Sequence, residues 1–346
     1  MTKTKKLLTA LILSAIIISS SGCDFSESEP VLAPESESTS SLPESSIPES
    51  SSVPEIIIEP EFSEPEEIVE AEPVQEPVFN LSSHSAERGG YFTIKAENVD
   101  LSEFVFKDSF GYDRKFFEKD GAWFCFVPIK PSTDAGYYPL KISSEDFEFK
   151  TTITVLDKNF KKQYLVVEQA TLEATLEDTA VREGFAEFFE ETRFYYSETP
   201  LWDGEFLMPL GSSWYKETTS FGTFRTFSSG RTEWHDAIDM AVGGGTPIYA
   251  TNSGTVIFAG WLGLTGNTII IDHGAGIMSW HYHLHKINVS EGETVEKDYY
   301  IGQVGTTGLS TGNHLHFGIT VGGVFVDPMC FMGTEPNLDF GEVKAE

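Results

Sequence analysis

Gly312-Asn-His-Leu-His-Phe-Gly-Ile-Thr-Val321 decides how the chain is read. His314 and His316 flank Leu315, and on a strand, where side chains alternate with a period of two, both histidines point to the same face. Working outward, short apolar runs of strand type recur in Thr246-Pro-Ile-Tyr-Ala250, Gly254-Thr-Val-Ile-Phe-Ala259, Asn267-Thr-Ile-Ile-Ile-Asp272, Gly276-Ile-Met-Ser-Trp-His-Tyr-His283 and Gly302-Gln-Val-Gly305, with glycine-rich breaks between them. Residues 207–333 are therefore expected to form a mainly β domain. Gly243-Gly244-Gly245 lacks a dinucleotide-binding spacing and a following helix pattern, and reads as a loop.

Upstream, Tyr91-Phe-Thr-Ile-Lys-Ala96, Ala122-Trp-Phe-Cys-Phe-Val127, Tyr137-Tyr-Pro-Leu-Lys-Ile142 and Phe147-Glu-Phe-Lys-Thr-Thr-Ile-Thr-Val155 are separated by turn residues at sandwich-like spacing. This predicts a small immunoglobulin-like β-sandwich over 79–157, a spacer or binding module with no cluster of catalytic residue types. A connector over 158–206 carries one helix. Val181, Phe185, Phe188, Phe189 and Phe194 recur there near helical spacing, and their stripe reads as core. Residues 334–346 form a tail.

The N-terminus has the layout of an export signal: Lys3, Lys5 and Lys6, then an apolar run from Leu7 to Ile18, then small residues up to Cys23. That run is too short for a hydrocarbon core that needs about 20 residues. Small residues leading into a cysteine resemble the lipobox of bacterial lipoproteins, which implies a signal peptide over 1–22 and an acylated Cys23 anchoring the chain to a membrane outside the cytoplasm. Residues 23–78 are Ser, Glu and Pro with isolated aliphatics, and predict a disordered stalk reaching between about 40 and 170 Å. The segment from Asp24 to Val78 holds sixteen Asp and Glu and no Lys or Arg, so about half of the net charge of −31 sits there. The acidic balance excludes a nucleic-acid partner, since binding phosphates requires positive charge. Cys125 and Cys330 are far apart, indicate neither a disulfide framework nor a Cys-rich zinc site, and are expected to be small buried hydrophobes.

Seven of the eight histidines fall between His235 and His316, where the chemistry is expected. His235 and Asp239 are four apart, a spacing that puts both on one face of a strand or a helix. His314 and His316 form a second pair, and His281, His283 and His285 a third alternating set. Imidazole and carboxylate are good zinc ligands, and three protein ligands leave a fourth position for water, as a catalytic site requires. His84, His273 and His285 read as structural or exposed.

Ser220-Phe-Gly-Thr-Phe-Arg225, His235-Asp-Ala-Ile-Asp239, Gly245-Thr-Pro-Ile-Tyr-Ala250, Gly266-Asn-Thr-Ile-Ile-Ile-Asp-His-Gly274, His283-Leu284, Gly302-Gln-Val-Gly-Thr-Thr-Gly308 and Gly312-Asn-His-Leu-His-Phe317 together resemble the lysostaphin and LytM type of zinc metallopeptidases, the β-lytic family. The resemblance implies an antiparallel β-sheet peptidase domain that cuts peptides of bacterial peptidoglycan in wall remodelling, with one zinc per chain. Carried over position by position, it implies that His235, Asp239 and His316 bind the metal and that His283 and His314 are catalytic, with metal-activated water as nucleophile in place of a Ser or Cys. Ala237 stands where the family usually has Gly, and His281 where an aromatic commonly precedes the catalytic histidine by two. Two other functions fit the same chain: a non-catalytic regulator of another wall hydrolase, and a wall-binding adhesin.

Overall fold

The computed structural model describes residues 75–108, 110, 115–166, 178–193, 195–338 and 340. The expected signal, Cys23 and nearly all of the stalk lie outside the described residues, as does Phe194. The first eight strands are β1 (Val78–Leu81), β2 (Ser85–Glu87), β3 (Tyr91–Glu97), β4 (Val105–Asp108), β5 (Phe117–Lys119), β6 (Ala122–Pro128), β7 (Gly136–Ser143) and β8 (Glu148–Leu156). They form two four-stranded sheets, ordered β1-β3-β6-β5 and β2-β8-β7-β4. Phe79, Phe92, Ile94, Cys125 and Val127 of the first sheet share one core with Leu140, Ile142, Ile153 and Val155 of the second. Alternation produces this packing: along the last part of β8, Ile153 and Val155 are buried while Thr152 and Thr154 are not. The β2–β8 pair is parallel.

The β6 sequence Ala-Trp-Phe-Cys-Phe-Val-Pro is buried along nearly its whole length because both of its faces are covered. Cys125 and Val127 point into the sandwich. Phe124 and Phe126, with Phe117 of β5, belong instead to the core of the downstream domain.

The remaining elements are β9 (Lys162–Leu165), α1 (Thr179–Thr192), β10 (Lys216–Thr219), β11 (Phe224–Phe227), β12 (Thr232–Trp234), β13 (Ile238–Ala241), β14 (Pro247–Tyr249), β15 (Gly254–Leu262), β16 (Gly266–Asp272), β17 (Ile277–Ile287), β18 (Thr294–Val295), β19 (Tyr300–Val304), β20 (His314–Val321) and β21 (Val324–Val326). The main sheet runs β10-β13-β20-β17-β16-β15-β18, all antiparallel, with β14, β19 and β21 branching from it. Its core face carries Ile238, Met240, Leu315, Phe317, Ile319, Ile269 and Ile271.

The opposite face of that sheet carries Ile270, Met278, Trp280 and Tyr282, and α1 lies over this cluster. Asp178 caps the helix, its side chain accepting from the backbone N–H groups of Ala180 (2.9 Å) and Val181 (3.1 Å). Phe188 meets Phe258 with ring centroids 4.7 Å apart, and Phe189 lies 5.4 Å from Phe325 and 5.5 Å from Trp280. Of the aromatic stripe, Phe188 and Phe189 pack on this core, and Phe185 is half-buried.

The connector also contributes β9, a strand not anticipated from sequence, which pairs in parallel with β11. Lys-Gln-Tyr-Leu is short and half exposed, so no apolar pattern announces it. Part of the tail is docked as well: Phe206 N–H donates to the Thr334 carbonyl (3.0 Å), Thr93 Oγ1 donates to the Asn337 carbonyl (2.8 Å), and Phe340 packs 5.9 Å from Phe124. Cys125 is buried as expected, but Cys330 is exposed, because it ends a single 3-10 turn, Pro328–Cys330, on the surface after β21.

Candidate metal centre

β13, β20 and β17 lie side by side, and their register sets Asp239 opposite His316 and His316 opposite Tyr282. Two residues along β20, His314 faces Ala241. The two-residue period sends Ile238, Met240, Leu315 and Phe317 to the core. Asp239, His314 and His316 are left on the other face, in the floor of a cleft of about 900 Å³. Phe185 and Phe189 of α1 line one part of this cleft and residues 309–314 another.

His235 reaches the same point from the loop between β12 and β13, so its spacing to Asp239 is realised by neither a strand nor a helix. Its backbone is fixed by His235 N–H to the Thr223 carbonyl (2.9 Å) and Gly222 N–H to the His235 carbonyl (2.8 Å). Ala237, the small residue within this motif, is fully buried and has no left-handed backbone to relieve.

The donor atoms converge. Asp239 Oδ1 lies 3.0 Å from His235 Nε2 and 2.8 Å from His316 Nδ1, and the two imidazole nitrogens are 3.2 Å apart. In a tetrahedral site with zinc bonds of about 2.0–2.1 Å, ligand atoms stand about 3.3 Å from one another, so these residues need to open only slightly. His235 Nδ1 sits 3.2 Å from the Ser220 carbonyl, which makes Nδ1 the N–H donor and leaves a lone pair on Nε2 aimed at a carboxylate oxygen. Two acceptors facing each other call for a cation between them, and the donor set suits a divalent metal. Burial alone would raise the Asp239 pKa, but the adjoining His235 and His316 side chains hold its carboxyl well below the usual range, so it is an anion available to a metal.

His283 arrives by a different device. Between β16 and β17 the register advances by two residues from Asn267 to Ile269 but by three from His281 to Leu284, which places a β-bulge at Tyr282 and His283. His283 takes the left-handed conformation, φ +64°, unusual for a residue with a Cβ. The bulge returns Leu284 to the core and turns His283 toward the metal face, with its ring 4.7 Å from His314 and 5.8 Å from His316. The expected alternating set therefore does not form. His281 is wholly buried against Phe317, 5.3 Å away, and His285 is exposed.

His283 Nδ1 donates to the Thr307 carbonyl (2.7 Å), so Nε2 is the nitrogen left for chemistry. Burial and the neighbouring His316 and His314 push its pKa down to about 3, and the ring is neutral at pH 7. His314 Nδ1 lies 2.8 Å from the Gly312 carbonyl and 3.3 Å from Ser310 Oγ, while Nε2 is 3.7 Å from Asp239 Oδ1. All five residues expected from sequence thus meet at one place. Sequence reasoning missed two others. Tyr282 stacks flat on His316, with centroids 5.0 Å apart and 5° between planes, and Arg225 binds the second oxygen of Asp239 at 2.5 Å. Arg225 stands within a motif quoted above, but no spacing rule ties it to Asp239.

Residues 233–328 match peptidase family M23. This segment belongs to that family. The M23 domain is 38% identical over 104 residues to the DD-carboxypeptidase/endopeptidase Mpg of Neisseria meningitidis, a match covering 30% of this chain and 24% of that protein. It is 38% identical over 95 residues to the peptidoglycan DD-endopeptidase ShyA of Vibrio cholerae, covering 28% of this chain and 22% of that one. Among solved structures, the catalytic domain of the antimicrobial peptidase lysostaphin from Staphylococcus simulans is 34% identical, with a TM-score of 0.30, over 33% of this chain and 90% of that domain. The chain spans about a quarter of the length of the curated relatives it matches. M23 is a metallopeptidase family, and the group His235, Asp239 and His316, with ligand atoms within 4.8 Å of one another, is where its domain here has room for a metal.

Proposed function

We propose that the chain is a zinc-dependent endopeptidase that hydrolyses peptide bonds of bacterial peptidoglycan outside the cytoplasm. The carrying observation is the junction of two sets in one cleft: three convergent donor atoms, and two further imidazoles whose Nδ1 atoms are tied to backbone carbonyls. His235, Asp239 and His316 would hold the ion. A zinc ion there would supply Lewis acidity, polarising a scissile carbonyl and bringing the pKa of water from 15.7 toward about 7.

The protein's own groups have separable tasks. His283, neutral and fixed through Thr307, offers Nε2 as the base that orients and deprotonates the attacking water. His314, its Nδ1 tied to the Gly312 carbonyl, keeps Nε2 on the side of the site that faces Asp239 and is placed to hydrogen-bond the oxyanion of the tetrahedral intermediate. Both rings stand in the cleft that α1 and residues 309–314 help to line.

The same reading takes the signal at 1–22 and an acylated Cys23 as the membrane anchor, with the stalk spacing the catalytic domain from the membrane. Among the described residues no helix is long and apolar enough to cross a membrane. Cys23→Ser would then release the protein from the membrane fraction.

The enzymatic reading is tested by incubating wild-type, His316→Ala and His283→Ala full-length chains with purified peptidoglycan, reading released peptides by mass spectrometry and bound zinc by elemental analysis. Cleavage by wild type alone, with zinc lost only from the His316 variant, is expected. Zinc binding by wild type without any cleavage would overturn the enzyme in favour of a regulator or binding module.

A further inference from the structure

We infer that the connector strand β9 completes the metal centre: Gln163 holds Arg225, and Arg225 holds Asp239 as a one-oxygen metal ligand. The inference rests on the metal-site reading above and assigns to it two positioning residues, both of them outside the M23 segment.

The chain of contacts is short. Asp239 turns Oδ1 toward His235 and His316, so this oxygen faces the metal position. Its other oxygen, Oδ2, accepts from Arg225 Nη2 at 2.5 Å. A guanidinium on Oδ2 occupies the lone pairs that a bidentate carboxylate would turn to the metal, and leaves the fourth position of a tetrahedral centre to solvent or substrate. Partners of this kind orient the ligands and tune the metal.

Arg225 is itself restrained from two other directions. Nη2 also donates to Thr219 Oγ1 (3.0 Å), and Nε donates to Gln163 Oε1 (3.2 Å). Gln163 is the register partner of Arg225 in the parallel β9–β11 pair, so backbone pairing delivers its amide to the guanidinium. On the other side of β11, Arg225 faces Glu233, a carboxylate that could draw the guanidinium away. Glu233 is paired instead with Arg231 at 3.3 Å, which leaves Arg225 to Asp239. Arg225 is mostly buried, its side chain 15% exposed, so the pair is little screened by solvent.

The test uses the full-length chain with Arg225→Met, Arg225→Lys, Gln163→Leu and Gln163→Glu, and reads metal binding separately from activity. Zinc affinity is measured by competition with a chromophoric chelator, and coordination by the visible absorption of the cobalt(II)-loaded protein. Arg225→Met is expected to weaken zinc by roughly 10- to 100-fold and to lower the cobalt absorption as the carboxylate becomes bidentate and the coordination number rises. Gln163→Leu should show the same spectral change with a smaller loss of affinity, and Gln163→Glu, which keeps an acceptor for Nε, should restore both. Arg225→Lys should recover charge but not the two-sided restraint, giving an intermediate spectrum. If Arg225→Met fails to fold, the Gln163 pair decides. Wild-type affinity and spectrum in Arg225→Met, or in Gln163→Leu, would overturn the inference while leaving the metal site intact. Failure of wild type to take up zinc or cobalt would overturn the metal-site reading and this inference with it.

Discussion

His283 and His316 sit in one cleft but answer to different tests. On the proposed mechanism His283 is the base and not a metal ligand, so His283→Ala should reduce kcat by 10²- to 10⁴-fold while zinc content stays near that of wild type. Loss of zinc in that variant would show that His283 belongs to the metal set instead. His273 and His281 are buried more deeply and lie outside the chemistry; burial pushes His273 down to about 4 and His281 to about 3. The unfolded chain, with imidazoles near 6.5, binds more protons than the folded one between those values. Stability should therefore be full above about pH 6.5 and fall as pH drops toward 4. In chelator-treated protein the urea midpoint should follow this course, and His281→Phe should flatten it, since one buried imidazole no longer resists protonation. An unchanged slope in that variant would remove His281 from the account. At this scale the candidate site residues are legible from sequence, because β20 keeps a period of two and puts His314 and His316 on one face. The side chains that tie them are not, since Arg225 and Asp239 are brought together only by the fold.

Elements deliver these side chains through two irregularities that a periodic reading cannot see. The bulge in β17 turns His283 out of the register its neighbours obey, and without it His283 would point into the core with His281. The carbonyl that holds His283 belongs to Thr307, whose loop packs on the first residue of β16. Gly266 has φ +68°, and a Cβ there would lie 2.4 Å from the Thr307 carbonyl carbon and 2.6 Å from its oxygen. Gly266→Ala should thus displace the anchor of His283, costing on the order of 1–3 kcal/mol in stability and at least tenfold in activity without loss of zinc. Wild-type peptidoglycan cleavage by that variant would mean that the Thr307 contact does not position the base. Strand β9 is the second irregularity: its Lys-Gln-Tyr-Leu sequence is too short and polar to be seen, yet it reaches the guanidinium at the metal centre.

At the scale of the whole molecule, the sandwich and the downstream M23 domain are bound through one apolar core. Phe117, Phe124 and Phe126 of the sandwich cluster with Phe206, Phe221 and Phe331 of the downstream domain, Tyr91 stacks on Phe331 at 5.1 Å, and Asp327 N–H donates to the Gly89 carbonyl at 2.7 Å. The sequence shows alternating runs and turns, and so two β-rich parts. It does not show that β6 is covered on both faces, because a doubly buried strand and a well-filled sandwich strand look alike as apolar runs. Both parts should consequently unfold in a single transition, and Tyr91→Ala should destabilise the whole by about 3 kcal/mol. Two separated transitions in calorimetry would contradict the shared core. For the same reason the catalytic test belongs on the full-length chain, not on residues 207–346 alone. The most direct measurement is to strip the full-length protein of metal with a chelator, return zinc in steps, and follow peptide release from purified peptidoglycan by mass spectrometry. Release that vanishes on stripping and returns in proportion to zinc up to one equivalent per chain, but not in His316→Ala, is the expected result; release that survives stripping, or that never occurs at full zinc loading, would contradict a metal-dependent peptidase.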